Sequence, residues 1–209
     1  MAVGLGVSRR RSDFKRRAGK VCLWAGLLGA ASGIYLAVVR PEVSPERYSY
    51  PLESAQFAII QIWFVVQHLG LLLGIVAFGA TGAAGWVWRR RVGQVAAVVG
   101  MAWLAITELV AILAARATAA SSLTTFLNFN YGISSVLIGV GLVIVGLAVL
   151  RTREMHGWRR FLPLVIGVYV FVPMTPALAG PFVAARLAIS GWMLLFALLG
   201  WTLTQDEAA

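Results

Sequence analysis

Five side chains stand out because their surroundings are almost entirely apolar: Gln61, Gln67, His68, Glu108 and Arg186. Placing an Asp, Lys or Arg at the centre of a membrane helix costs roughly 2.5 to 3.5 kcal/mol on insertion scales. Such residues tend to face the interior of a helix bundle, and they often mark a solute or proton pathway. Gln61 and His68 are one heptad apart, which puts them on one face of a helix. Glu108 is the group that can titrate. A lone carboxylate there takes a proton, whereas one paired with Arg186 stays ionised. Two chemistries follow. Gln61, His68, Glu108 and Arg186 can form a site for a small solute or a coupling proton, or they can be a structural ion pair plus interhelical hydrogen bonds. Bonds of that second kind average about 0.6 kcal/mol each.

Pro163, Pro173 and Pro176 add a second feature. A proline inside a helix frees the carbonyl four residues earlier, here those of Tyr169 and Val172. Broken backbone at membrane depth is tolerated where protein buries it or where it lines a cavity. Tyr169 and Thr175 are therefore added to the candidate ligand-binding or proton-coupling group.

The elements that must position these residues are legible from composition. Of 209 residues, 60% are apolar and 12% charged, against about 45–50% and 25% for a soluble domain. A water-soluble globule is excluded. Six apolar runs, each near the ~20 residues needed to cross hydrocarbon, cover Val21–Val39, Ala55–Ala80, Val92–Ala115, Tyr131–Leu150, Phe161–Gly180 and Phe182–Leu203. None alternates as a barrel strand would. The expected fold class is all-α: a polytopic, six-helix transmembrane bundle over residues 21–203. It is preceded by a basic arm, 1–20, and followed by a short tail, 204–209. The first run is long enough to serve as an anchor rather than a cleaved signal.

Charge orients the bundle. The arm, Arg89–Arg91 and the Arg151–Arg160 link lie on one side. Arg40, Arg47, Arg116 and Arg186 are balanced by Glu42, Glu46, Glu53 and Glu108, so the whole excess of +10 falls on the first side. Basic loops stay in the cytoplasm. Both termini are thus expected inside a cell membrane, and an even helix count requires them to share a side. The same rule explains the arm without nucleic acid: it suits anionic inner-leaflet lipid. At 1.5 Å per residue, Glu108, Gln61 and Arg186 lie ~10, ~9 and ~6 Å below the outer boundary.

The outer link 40–54, with Tyr48 and Tyr50, can form a lid, but its tyrosines suit the membrane interface better. Link 116–130 is expected to be polar, with Asn128 and Asn130 capping the fourth helix at Tyr131. Gly29/Gly33 and Gly70/Gly74 allow close helix approach, more simply within the chain than between chains.

Much chemistry is discounted. The one cysteine, Cys22, cannot supply a thiol pair. No second histidine lies at depth for a haem, since His156 falls in the basic link. Ala188-Ile189-Ser190-Gly191 lacks the first glycine of a GxSG serine motif, and no HExxH or Walker sequence is present. No metal or cofactor is expected. The function so read is a small-solute transporter or solute-binding membrane protein. The alternative is a non-catalytic accessory or scaffold subunit of a larger membrane complex. A homo-oligomer or a partner subunit stays open, and a lipid-modifying enzyme has no catalytic constellation here.

Overall fold

Apolar runs of this length leave the backbone one way to satisfy its hydrogen bonds in hydrocarbon, the helix. In the computed structural model, residues 2–82, 88–152, 155 and 157–205 are described, the side chains of 2–11 and 89 excepted. Trp86, Val87, Arg153, Glu154, His156, the tail 206–209 and the side chains of Arg9–Arg11 lie outside that set. The described chain is all-helical apart from its links, with six segments long and apolar enough to cross a membrane. Helix α1 is Ala2–Val38, α2 Ser54–Ala80, α3 Trp88–Ala111 and α4 Ser122–Thr152. The fifth segment is built from α5 (Leu162–Tyr169), a π turn (Val170–Met174) and α6 (Thr175–Leu178), and α7 is Phe182–Thr204.

Neighbours in sequence are neighbours in space, and α7 closes the ring by packing along α1. All six segments feed one core, with Cys22, Leu71, Met101, Ile138, Ile166 and Phe196 each buried in it. The outward faces stay apolar: Ile59, Ile62, Val66, Leu69, Leu73 and Val76 form an exposed stripe along α2, as a lipid-facing surface requires.

Glycine sets the closest approaches. Gly29 and Gly33 face Met193 and Ser190 of α7, while Gly70 and Gly74 face Ala25 and Cys22 of α1. Both GxxxG pairs are thus spent on packing within the chain. The proline segment absorbs its missing donor by a register slip. Pro163 sits in the first turn of α5, where no N–H is needed. Pro173 lies inside the π turn, and the Thr175 N–H reaches back to the Val170 carbonyl. The hydrogen-bond register there is lengthened by one residue.

Two expectations change, and the outer link gains a definite packing. The backbone of α1 is already helical from Ala2, through the basic arm. Helix α4 starts at Ser122, not Tyr131, so Asn128 and Asn130 are not its caps. Asn130 instead donates to Phe126 O and accepts from Trp103 Nε1. Link 40–54 folds over the helix ends. Tyr48 N–H donates to Ala117 O, and Ala119 N–H donates to Glu46 O. Tyr50 stacks edge-on against Phe182 at 5.0 Å, and Leu52 joins Leu36, Phe57 and Ala115 in a small core. This is the capped end of the bundle. The opposite, basic end carries Lys20, Arg90, Arg151 and Arg160.

Candidate functional site

Four elements converge beneath the cap. Glu108 lies one turn before the end of α3, and Gln61 and His68 lie on the inner face of α2; all three are buried. Gln61 Nε2 donates to Glu108 Oε2 at 2.7 Å. Tyr131 of α4 donates its hydroxyl to the same oxygen at 2.6 Å. The other oxygen, Oε1, faces His68 Nδ1 at 3.9 Å, and that nitrogen has no hydrogen-bond partner. The heptad spacing of Gln61 and His68 therefore does what a shared helix face allows: the two residues bracket one carboxylate from above and below.

Arg186 of α7 is half-buried and shares this electrostatic environment without touching the carboxylate. Its charge acts on Glu108 through space, and its guanidinium carbon sits 4.9 Å from the centre of the Phe182 ring. Among the described residues no direct ion pair joins Arg186 to Glu108. The simple structural pair allowed by the sequence is thus not formed. Instead Arg186 borders a cavity of about 10 Å³ together with Gln61, Ser49, Tyr50 and Leu36, room for roughly one water molecule. Ser49 is fully buried and its Oγ has no partner.

The cap reaches the same group through Tyr48, which packs with Tyr131 over Ala111, Ala114 and Leu127. Burial, and then the negative charge of Glu108, push the Tyr48 phenol up to about 12.

The structure thus brings Gln61, His68 and Glu108 into one cluster, with Arg186 beside it. It places Tyr169 and Thr175 elsewhere. Tyr169 lies against Gly191 of α7, and the Thr175 hydroxyl donates to Val170 O at 2.6 Å. No hydrogen bond joins either residue to Glu108 among the described residues. Tyr131, Tyr48 and Ser49 are the members that sequence reasoning missed. Tyr131 had a signal: Leu127, Tyr131, Ser134, Ile138 and Leu142 continue one helical stripe. The polar residues around them masked it. Ser49, in a proline-bounded loop, had none.

No family model matches the chain, and neither a curated protein nor a solved structure does. The functional reading therefore rests on geometry.

Proposed function

We propose that the protein is a small-solute transporter or solute-binding protein of the cell membrane, with both termini in the cytoplasm, and that its centre works by exchanging a proton. The observation that carries this is the division of labour on Glu108. Oxygen Oε2 accepts two hydrogen bonds, from Gln61 and Tyr131, an arrangement that serves a carboxylate and a carboxylic acid alike. Oxygen Oε1 is left facing an unpartnered imidazole nitrogen. One proton taken from water onto Oε1 gives a neutral acid that faces Nδ1 across 3.9 Å, and the two side chains must close by about 1 Å before the proton can be shared, with the ring's own proton on Nε2. Passed on to Nδ1, the same proton leaves a carboxylate beside an imidazolium. The orientation follows from the excess of +10 on the basic end.

Under the transport reading this filled interior, whose adjoining cavity holds about one water, corresponds to a closed conformation. An organic solute can enter only when the cap parts from α2 and α7. The same filled interior favours the second reading, an accessory subunit whose buried cluster merely fixes packing.

The two readings separate in proteoliposomes that carry the full chain and a trapped pH dye. Small organic acids, amino acids and amines are added one class at a time. Under the transport reading one class moves protons with it, and Glu108→Gln abolishes the response. If no class moves the dye, and none raises the melting temperature of the purified protein, transport falls and the accessory role is left.

A further inference from the structure

The cavity beneath the cap has a chemical character of its own. One wall is the Arg186 guanidinium, a fixed positive charge that meets no hydrogen-bond acceptor among the described residues and rests on an aromatic face. Another is Ser49, wholly buried with an unpartnered hydroxyl. Leaving such a hydroxyl unbonded costs about 1–3 kcal/mol. Guanidinium and hydroxyl both donate; Gln61, whose Nε2 is turned to Glu108, and Tyr50 are the other polar residues at its walls, and Leu36, Leu52 and Phe57 are apolar. Donors gathered around a water-sized space with a cationic wall suit a small anion.

We propose that Arg186 and Ser49 form a subsite for a small monovalent anion, of halide or formate size, and that this anion travels with the proton held by Glu108. The pH dependence rests on the proton reading above; the subsite does not. Glu108 and the anion compete for the field of Arg186. With Glu108 ionised, its charge opposes a second anion nearby. With Glu108 protonated, Arg186 is left to the anion, so one proton and one negative charge enter together and the cycle is electroneutral. The groups facing Glu108 are His68 from α2, Tyr131 from α4, Tyr48 from the cap and Arg186 from α7. Around Arg186 they are Glu108, Tyr131 and Tyr48.

The test is thermal stabilisation of the purified full chain by sodium fluoride, chloride or formate across a pH series, with sodium gluconate as the salt control. At least one of the three should bind, and more tightly at lower pH, by about tenfold per pH unit where one proton is linked. Arg186→Gln should weaken binding about thirtyfold, as expected for a charge-assisted contact. Ser49→Ala guards against a variant that fails to fold. Its hydroxyl has no partner to lose and is costly unbonded, so the melting temperature without salt should hold or rise while anion affinity falls about fivefold. If none of the three salts outdoes gluconate at any pH, the subsite does not exist; the dye response to another solute class would still leave the transport reading standing. Binding that survives Ser49→Ala intact places the anion elsewhere and also overturns the proposal. Binding that weakens in Ser49→Ala yet ignores pH keeps the subsite and removes Glu108 as its proton partner.

Discussion

The two ends of the bundle solve the same packing problem in opposite ways. At the basic end, backbones meet directly. A methyl group at Gly200 would overlap the Leu23 and Gly19 backbone, and one at Gly146 would overlap Leu164. Polar side chains there close helix ends: Arg90 donates to Gly79 O and Gly82 O, satisfying carbonyls that a helix terminus leaves open. Under the cap, long polar side chains from α2 and α4 fill the separation between helices and converge on the Glu108 carboxylate. Unpartnered buried atoms occur at both ends, Ser49 Oγ and His68 Nδ1 under the cap and Gln94 Oε1 and Arg160 Nε at the basic end. What differs is that one end is packed backbone against backbone, whereas the other is built around a single buried carboxylate.

The largest expected effect breaks the close-packed end. Gly200→Val puts two methyl groups against backbone atoms of α1 that no rotamer change can move. Overpacking costs about 1–3 kcal/mol and occasionally more, and here about 3 kcal/mol is expected, read as folded fraction in a denaturing-detergent titration. Gly132→Ala is the control. Nothing lies within 4 Å of its added carbon, so the helix propensity of alanine should stabilise it by about 0.5 kcal/mol.

Next in size is the carboxylate cluster. Gln61→Leu removes one of two donors to Glu108 Oε2 and should cost about 2 kcal/mol, the penalty of a buried acceptor left short. Adding Glu108→Leu and Tyr131→Phe to Gln61→Leu should restore most of that loss, because removing the acceptor together with both of its donors deletes the unmet demand. A triple mutant no more stable than Gln61→Leu alone would show that the cluster does not act as a unit, and would erase the contrast with the basic end.

The cap gives a pH test. Tyr48 has its phenol raised from 10.0 to about 12 in the fold, so its neutral form is the one favoured. That contribution is complete below pH 10 and is lost as pH climbs through about 12. Tyr48→Phe should flatten the alkaline decline of the melting curve over that window. Glu108→Gln should end the decline at lower pH and make it smaller, since the carboxylate's charge is the second cause of the shift. An unchanged alkaline limb in both variants would separate the cap from the cluster.

How much of this was legible depends on range. The six spans were readable because hydropathy is local and hydrocarbon admits few backbone solutions. The Gln61–His68 face was readable because a heptad is two turns of a single helix. Partners on other helices were not. Glu108 and Arg186 have opposite charges at similar depth, yet a ring places Tyr131, not Arg186, on the carboxylate. The start of α4 was misjudged because Ser122, Thr124, Thr125 and Asn128 look like a link, although Leu123, Leu127 and Tyr131 carry the helical period through them. Thr175 was assigned to a pocket because Pro173 frees a carbonyl. Its hydroxyl is instead spent locally on the Val170 carbonyl, which is not the one Pro173 frees.

The smallest effect sharpens the comparison within the capped end itself. Trp103 Nε1 donates to Asn130 Oδ1 at 3.0 Å between α3 and α4, outside the cluster and on an exposed face. Interhelical hydrogen bonds in membranes average about 0.6 kcal/mol because partners are also found in the unfolded state. Trp103→Phe keeps most of the ring and should cost about 0.5 kcal/mol, with no change in proton or anion response. That leaves it well below Gln61→Leu, although each substitution removes a side-chain donor between neighbouring helices of the same end. Burial would then be what sets the difference: Glu108 has only its neighbours to turn to, whereas Asn130 also lies open to its surroundings. A loss as large as that of Gln61→Leu would place the stability of the capped end in its rim rather than around the carboxylate.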